Sequence, residues 1–303
     1  MRIASLLPSA TEIVCALGLE ESLVAVTHEC DYPASVRGKP VVTASVLSGT
    51  DSSRSIDRHI KRLLHQGSGI YRLDADRLQA ARPDLILTQE LCEVCAVSYP
   101  IVEQAARRLD GDVQLVSLEP ESLEDVLTHI RLVGRLCGRE QQAEELVSAL
   151  RDRVRRVEER VHERPRRRVA CLEWIDPPYC SGHWNPELVS IAGGLDLLGR
   201  PGRPAVPVQW ADLLQADPEL VVIMACGFDL KRTLQEMRTL EAQLAWKRLP
   251  AVSAGQVYAV DGSAYFSRPG PRLTDSVEIM AAILHPDAAP PAPTGAVARY
   301  QPP

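Results

Sequence analysis

No stretch of the sequence approaches the roughly 18 to 20 consecutive apolar residues that a membrane span needs, so no membrane insertion is expected. Positive charge is not in excess either. Lys and Arg number 34 against 40 Asp and Glu, a formal net charge of -6. That balance excludes a general nucleic-acid binder, which would carry a basic face. The one basic run, Arg164-Pro165-Arg166-Arg167-Arg168, reads as a solvated linker rather than a phosphate site. A phosphate loop or dinucleotide fingerprint is also missing: Gly67-Ser68-Gly69 lacks the further glycine and the helix that should follow. Eight cysteines at irregular spacing make no disulfide framework. Met1-Arg2-Ile3 runs directly into a strand pattern, with no secretory leader ahead of it. Both observations suit a reducing cytoplasm, the alternative being a secreted protein with its leader trimmed off. What remains is a globular composition, 45% apolar and 24% charged, and 303 residues suffice for two modest cores.

The order of the apolar patterns gives an α/β fold with two Rossmann-like lobes, parallel sheets and one long helix joining them. Residues 1–120 alternate strand and helix signals. Ile3 to Leu7 is a short strand; Ser9 then suits an N-cap, with Glu12 three residues on as in a capping box. Leu23 to Val26, Leu85 to Thr88 and Val113 to Val116 are further strands, and helical spacing marks Ile56, Ile60, Leu63 and Leu64. Strands alternating with helices imply parallel pairing with both faces covered. Residues 121–164 show helical periodicity alone, in a first stripe from Leu123 to Val133 and a second from Ala143 to Val161. The second would span about 36 Å, the width of a small domain, as a strut between two halves. Across residues 165–286 the alternation resumes, and Arg82-Pro83-Asp84-Leu85 finds an echo in Asp217-Pro218-Glu219-Leu220. Residues 287–303, rich in proline and alanine, are expected to be a disordered tail.

Open parallel sheets take ligands at the carboxyl ends of their strands, where the unusual polar and aromatic residues of this chain fall. There are four Trp, seven Tyr and two Phe in all, and Tyr32, Trp174, Tyr179, Trp184, Tyr265 and Phe266 lie in such loops. Aromatics outside core periodicity mark a binding surface, and if both sheets aim these loops at each other one cleft collects them. A small-molecule ligand is the first reading. Metal ligation is the second: Cys92-x-x-Cys95 has the spacing of half a zinc or iron site, to be completed from Cys30, Cys226, His28 or His183. The rival from another class is a metal- or thiol-dependent enzyme using this same Cys/His set, in which His28 and Cys30, two residues apart, could pair.

Ser5-Leu6-Leu7-Pro8-Ser9-Ala10-Thr11-Glu12 with Ala16-Leu17-Gly18 resembles the opening of the helical-backbone substrate-binding proteins. These serve uptake of cobalamin, iron-siderophores and haem. Asp31-Tyr32-Pro33, Arg82 to Ile86, Ala192-Gly193-Gly194 and Tyr265 to Arg272 look like stretches of the cobalamin-binding member, and the likeness spans residues 1 to 286. The resemblance implies a non-catalytic, monomeric binder of cobalamin or a related corrinoid, tetrapyrrole or metal chelate in the interlobe cleft. By it, Tyr32, Tyr265 and Phe266 contact the corrin or its lower base. Beside it, Ser9, His28, Trp174, Tyr179, His183, Trp184 and Arg268 complete the candidate ligand-binding set, with His28 or His183 offered as an axial cobalt ligand. The family also docks one acidic residue per lobe onto permease arginines. The first matches Asp76; the second falls on Ala211, with Asp212 turned from it by about 100° on a helix. With that pair altered and the cysteine set added, the sequence is most similar to a cytoplasmic branch, and a transport receptor lacking its leader is the third reading.

Overall fold

The computed structural model describes residues 1–47, 51–66, 68–90, 97–109 and 111–301. The chain divides into two compact units. Unit 1 comprises Met1–Asp51, Ser55–Glu119 and Asp125–Val147; unit 2 comprises Ser52–Arg54, Pro120–Glu124 and Ser148–Pro303.

The first part of the chain runs β1 (Ile3–Ser5), α1 (Pro8–Ala16), β2 (Leu23–Val26), β3 (Thr43–Ser45), α2 (Ser53–His65), β4 (Tyr71–Leu73), α3 (Ala75–Ala81), β5 (Leu85–Thr88), α4 (Tyr99–Ala106) and β6 (Gln114–Ser117). The main sheet has the order β2-β1-β5-β6, with every pair parallel. Its central strands are short and aliphatic because both faces are covered. Ala4, Leu6, Ala25, Ile86, Leu78 and Val102 are buried together in one cluster. An antiparallel pair, β3 with β4, stands apart from this sheet. It is absent from the sequence reading, since three-residue strands carry no periodicity of their own.

Helix α1 begins two residues before the capping pattern suggests. Pro8 takes the first helical position and Leu7, in extended conformation, is the cap without any side-chain bond. Proline there has no amide to satisfy and its φ is already helical, so it outcompetes Ser9 as the start signal. Ser9 is instead buried inside the helix, at 3% exposure.

The two helical stripes become α5 (Leu123–Leu136) and α6 (Glu140–Val161). At 22 residues α6 is about 33 Å long. It is continuous, and the division between the units falls inside it, between Val147 and Ser148. Ala143, Val147, Leu150, Val157 and Val161 are all buried, the expected face. Gly134 lets α5 approach α6 closely: a Cβ there would lie 2.5 Å from the Cβ of Ala143.

Unit 2 continues with β7 (Arg167–Trp174), β8 (Tyr179–Cys180), β9 (Gly182–His183), α7 (Asn185–Ile191), β10 (Gly194–Asp196), β11 (Arg200–Pro201), α8 (Trp210–Ala216), β12 (Leu220–Ile223), α9 (Leu230–Met237), α10 (Leu244–Lys247), α11 (Pro250–Ser253), β13 (Val257–Val260), a π-helical turn at Gly262–Phe266, α12 (Leu273–Leu284) and β14 (Val297–Arg299). The sheet order is β10-β7-β12-β13-β14. The first four strands are mutually parallel and β14 closes the edge antiparallel. Arg153 of α6 donates to Glu278 at 3.0 Å and also to Asp275, which fastens α6 to α12.

Two expectations are corrected here. The tail is not disordered throughout: Val297–Arg299 pairs with Val257–Val260, and Ala296 and Tyr300 are buried. An unpaired sheet edge recruits a short segment whose own composition promises nothing. Nor is the basic run a free linker. Arg167 and Arg168 lie in β7, and Arg167 Nε reaches Glu219 at 2.8 Å while Arg164 reaches Asp287 at 2.7 Å.

Candidate functional site

In unit 1 the loop after β2 is held by hydroxyl groups. His28 Nδ1 lies 2.7 Å from Thr43 Oγ1, and that hydroxyl donates to Thr27 Oγ1 at 2.8 Å. The His28 amide donates to Thr43 as well, at 3.0 Å. His28 Nε2 stands 3.3 Å from Glu29 Oε1, and its ring centroid is 5.3 Å from that of Tyr71. Cys30 Sγ is 3.0 Å from Thr11 Oγ1, which donates to Ser5 Oγ at 2.8 Å. The His28 ring nitrogens thus face Thr43 and Glu29, not the Cys30 thiol, so the arrangement is not that of a thiol–imidazole pair. Tyr32 lies further along the same loop with 49% of its surface open.

In unit 2 the carboxyl ends carry more rings and more buried charge. The Trp174 indole at the end of β7 lies 5.1 Å from the Phe228 ring, over which Arg232 stacks at 3.9 Å. Arg272 sits 5.6 Å above the Tyr265 ring. Trp174, Tyr179 and Tyr265 are half-buried, as a ligand-lining ring should be. Phe266 and Trp184 are not. They are 1% and 8% exposed, and the Trp184 indole N–H donates to the Phe266 carbonyl at 2.9 Å. Loop aromatics can be core residues when the loop itself folds back on the sheet. Gly262 permits that, since a Cβ there would lie 2.3 Å from the Ala225 carbonyl oxygen. Arg268 is likewise buried, its guanidinium 3.3 Å from Ser263 Oγ.

His183 has φ +47, a left-handed conformation that a non-glycine residue adopts at a cost. Its ring stacks on Trp184 at 5.6 Å, and burial draws its pKa down while Glu121 pulls it up.

Sequence reasoning missed the carboxyl pair beneath these loops. Glu173 Oε1 accepts from the Gly182 amide at 2.7 Å and from Asn185 Nδ2 at 2.8 Å. Burial pushes its pKa up to about 7; those two hydrogen bonds oppose the rise and the charge of Asp196 adds to it. Asp196 accepts from the Ser181 hydroxyl and from the Gly199 amide, and burial raises its pKa too. The available signal was the charged end of an otherwise apolar strand, Val169 to Glu173. Its partners lie too far along the chain to be read from spacing.

Cys92 and Cys95 lie outside the described residues. Cys30 is in unit 1 and the exposed Cys226 in unit 2. Among the described residues no group of three or more His, Cys, Asp or Glu gathers to hold a metal ion. Asp76 is exposed in the first turn of α3. Asp212 is exposed at the third position of α8, where its Oδ2 accepts from the Gln209 amide at 3.0 Å. A shallow hollow of about 590 Å³ opens beside α9, lined by Asp229, Lys231, Leu234, Arg238 and Asp261; it includes none of the aromatic side chains. No helix among the described residues is long and apolar enough to cross a membrane.

Residues 3–264 match the protein family described as Periplasmic binding protein. Over 94% of its length the chain is 23% identical to an uncharacterised ABC transporter substrate-binding lipoprotein of Bacillus subtilis strain 168, of which it covers 80%. Over 91% of its length it is 22% identical to a vitamin B12-binding protein of Vibrio cholerae, covering 86% of that protein. The crystal structure of a periplasmic heme binding protein from Pseudomonas aeruginosa matches with a TM-score of 0.75 and 20% identity, over 100% of this chain and 99% of that one. These are binding proteins, and the non-catalytic reading stands with them. The cytoplasmic location does not. A periplasmic family and a lipoprotein relative point outside the cytoplasm. The cysteines misled because Cys171 and Cys180 serve as small buried residues, a use that says nothing of compartment.

Proposed function

The chain belongs to the periplasmic binding protein family, and we propose that within it the ligand is a corrinoid or a haem-like metal tetrapyrrole. Among the relatives, one is named for binding vitamin B12 and another for binding heme. The observation that carries the finer reading is the set of half-open rings and basic groups at the carboxyl strand ends: Tyr32 and His28 in unit 1, Trp174, Tyr179 and Tyr265 with Arg272 in unit 2. Flat aromatic faces suit a large planar ring, and a guanidinium over Tyr265 suits its anionic side groups. The rings of Trp184 and Phe266 support those loops from below, and Arg268 holds Ser263.

The test is a titration of the purified protein with cyanocobalamin and with haemin, read by visible absorption. A shifted spectrum with micromolar or tighter affinity for one of them is the expected result. Tyr265→Ala weakens that affinity about tenfold, the loss of one stacked ring. Absence of binding to either compound removes the ligand assignment and leaves the family membership intact.

We infer that the chain delivers its ligand to a permease, with the exposed Asp76 on α3 and Asp212 on α8 proposed as the acids that meet it. Helix α8 carries Ala211 at the position Asp76 holds in α3, so the second acid sits one residue along.

A further inference from the structure

We propose that Glu173 is a positioning residue whose ionised carboxylate holds the ligand loops of unit 2 in their binding arrangement, so that its protonation loosens the grip on ligand. The inference rests on the ligand-binding reading above.

Glu173 stands on β7, between β10 and β12 in the sheet, one residue before Trp174. One of its oxygens takes two donors, the Gly182 amide at the start of β9 and the Asn185 side chain at the start of α7. Between those two donors lie His183 and Trp184. Asn185 Nδ2 also approaches the Phe266 carbonyl at 3.4 Å, the same oxygen that accepts the Trp184 indole. A single carboxylate thereby ties together β7, the β9–α7 corner and the π-helical turn that carries Tyr265. The Asn185 Oδ1 atom is buried with no hydrogen-bond partner among the described residues, so the hydrogen bonds of Nδ2 orient its amide. Bonds to an ionised acceptor are roughly twice as strong as those to a neutral one, and protonation weakens both at once.

Among the described residues, the groups around Glu173 favour its neutral form. Asp196 of β10 faces it and disfavours a second negative charge. Cys171, on its own strand, and Cys180 of β8 are thiols pushed up by burial, away from neutrality. From α7 and β9 the facing groups are the neutral Asn185 side chain and the Gly182 amide. His183, drawn down by burial, titrates on the acid side of its ordinary value.

The experiment compares the full chain with Glu173→Gln, which keeps a carbonyl acceptor but cannot ionise. Two signals are followed from about pH 6 to about pH 8: tryptophan fluorescence without ligand, and affinity for cyanocobalamin and haemin. The wild-type fluorescence is expected to change with a midpoint near neutrality, and its affinity to fall at least about threefold at the acid end. Glu173→Gln shows neither change and stays at the weaker affinity throughout. Asp196→Asn, which removes the facing charge, moves the wild-type midpoint to lower pH. A fluorescence step that persists unchanged in Glu173→Gln overturns the inference, as does a wild-type signal flat across the range. If neither ligand binds, the binding reading fails, yet the fluorescence comparison still decides whether Glu173 orders these loops.

Discussion

In unit 1 the arginine ahead of the first strand, Arg2, donates from its guanidinium to the carbonyls of Ala81 and Arg82 at the end of α3. In unit 2 Arg168 does the same for Asp217 at the end of α8. Each arginine also offers its own carbonyl to the next strand in the sheet, to the Asp84 amide at 2.8 Å and to the Glu219 amide at 2.9 Å. Both helices stop on a left-handed residue that is not glycine, and both are followed by proline and a buried strand. The amino ends of the sheets are thus closed by one device used twice. The carboxyl ends differ. Unit 1 fixes its loop with the uncharged hydroxyls of Thr27 and Thr43, whereas unit 2 uses the buried carboxyls of Glu173 and Asp196. A shared scaffold therefore carries two kinds of ligand-side support, one built on hydroxyls that hold the His28 ring and one built on carboxyls.

The tail offers the largest way to break the likeness, since only unit 2 completes its sheet with an antiparallel edge strand. Ending the chain after Pro286 removes the β14 pairing, the burial of Ala296 and the Tyr300 hydroxyl bond to Glu241. The expected loss is on the order of 3 kcal/mol, read by urea unfolding. A truncated chain as stable as the full one would mean that the edge strand adds nothing.

The contrast in support comes next. Glu173 has a pKa raised from 4.5 to about 7 in the folded state. The folded chain therefore holds a proton that the unfolded chain releases between those values, and stability falls as pH rises through that window. Glu173→Gln abolishes the fall. Relative to wild type it gains on the order of 3 kcal/mol between about pH 4.5 and about pH 8. Thr43→Val in unit 1 costs about 1 to 2 kcal/mol, because it removes the hydroxyl that joins Thr27 to the amide and ring of His28. A Thr43→Val variant as stable as wild type would mean that the hydroxyl chain does not hold the unit 1 loop. For Glu173 itself, stability and grip on ligand then run in opposite directions with pH: the charge that orders the loops is the one burial disfavours.

What could be read in advance follows the range of the interactions concerned. The stripe Ala143 to Val161 announces α6 because helical neighbours are three and four residues apart. Leu85 to Thr88 and Leu220 to Ile223 announce strands because a run buried on both faces needs no partner to be recognised. The proline after each of two helices made the repeat legible as well. Other features depend on groups brought together from afar. Phe266 and Trp184 look like free ligand rings until the fold shows one backbone carbonyl holding the other's indole across 82 residues. Glu173 looks like the polar end of a strand until Gly182 and Asn185 arrive beside it. The spacing of Cys92 and Cys95 falls outside the described residues, and spacing alone does not tell a metal ligand from a small apolar residue such as Cys171 in a sheet.

The smallest effect tests the repeated device at its joint. Arg82 and Asp217 occupy left-handed positions with φ 43 and φ 48. Glycine would adopt either without the Cβ clash that other residues meet, yet Asp tolerates the region better than Arg does. Arg82→Gly is therefore expected to stabilise by about 0.5 to 1 kcal/mol, since the Arg2 contact to residue 82 uses the backbone carbonyl and survives the change. Asp217→Gly also keeps its carbonyl bond from Arg168, but it loses a 3.3 Å ion pair between exposed side chains. That loss of a few tenths of a kcal/mol offsets most of a smaller strain relief, and the net change is near zero. Thermal unfolding of the two variants measures the difference directly. Equal gains would place strain alone at both joints, and a larger gain at Asp217 would mean that the two helix ends are not the same device.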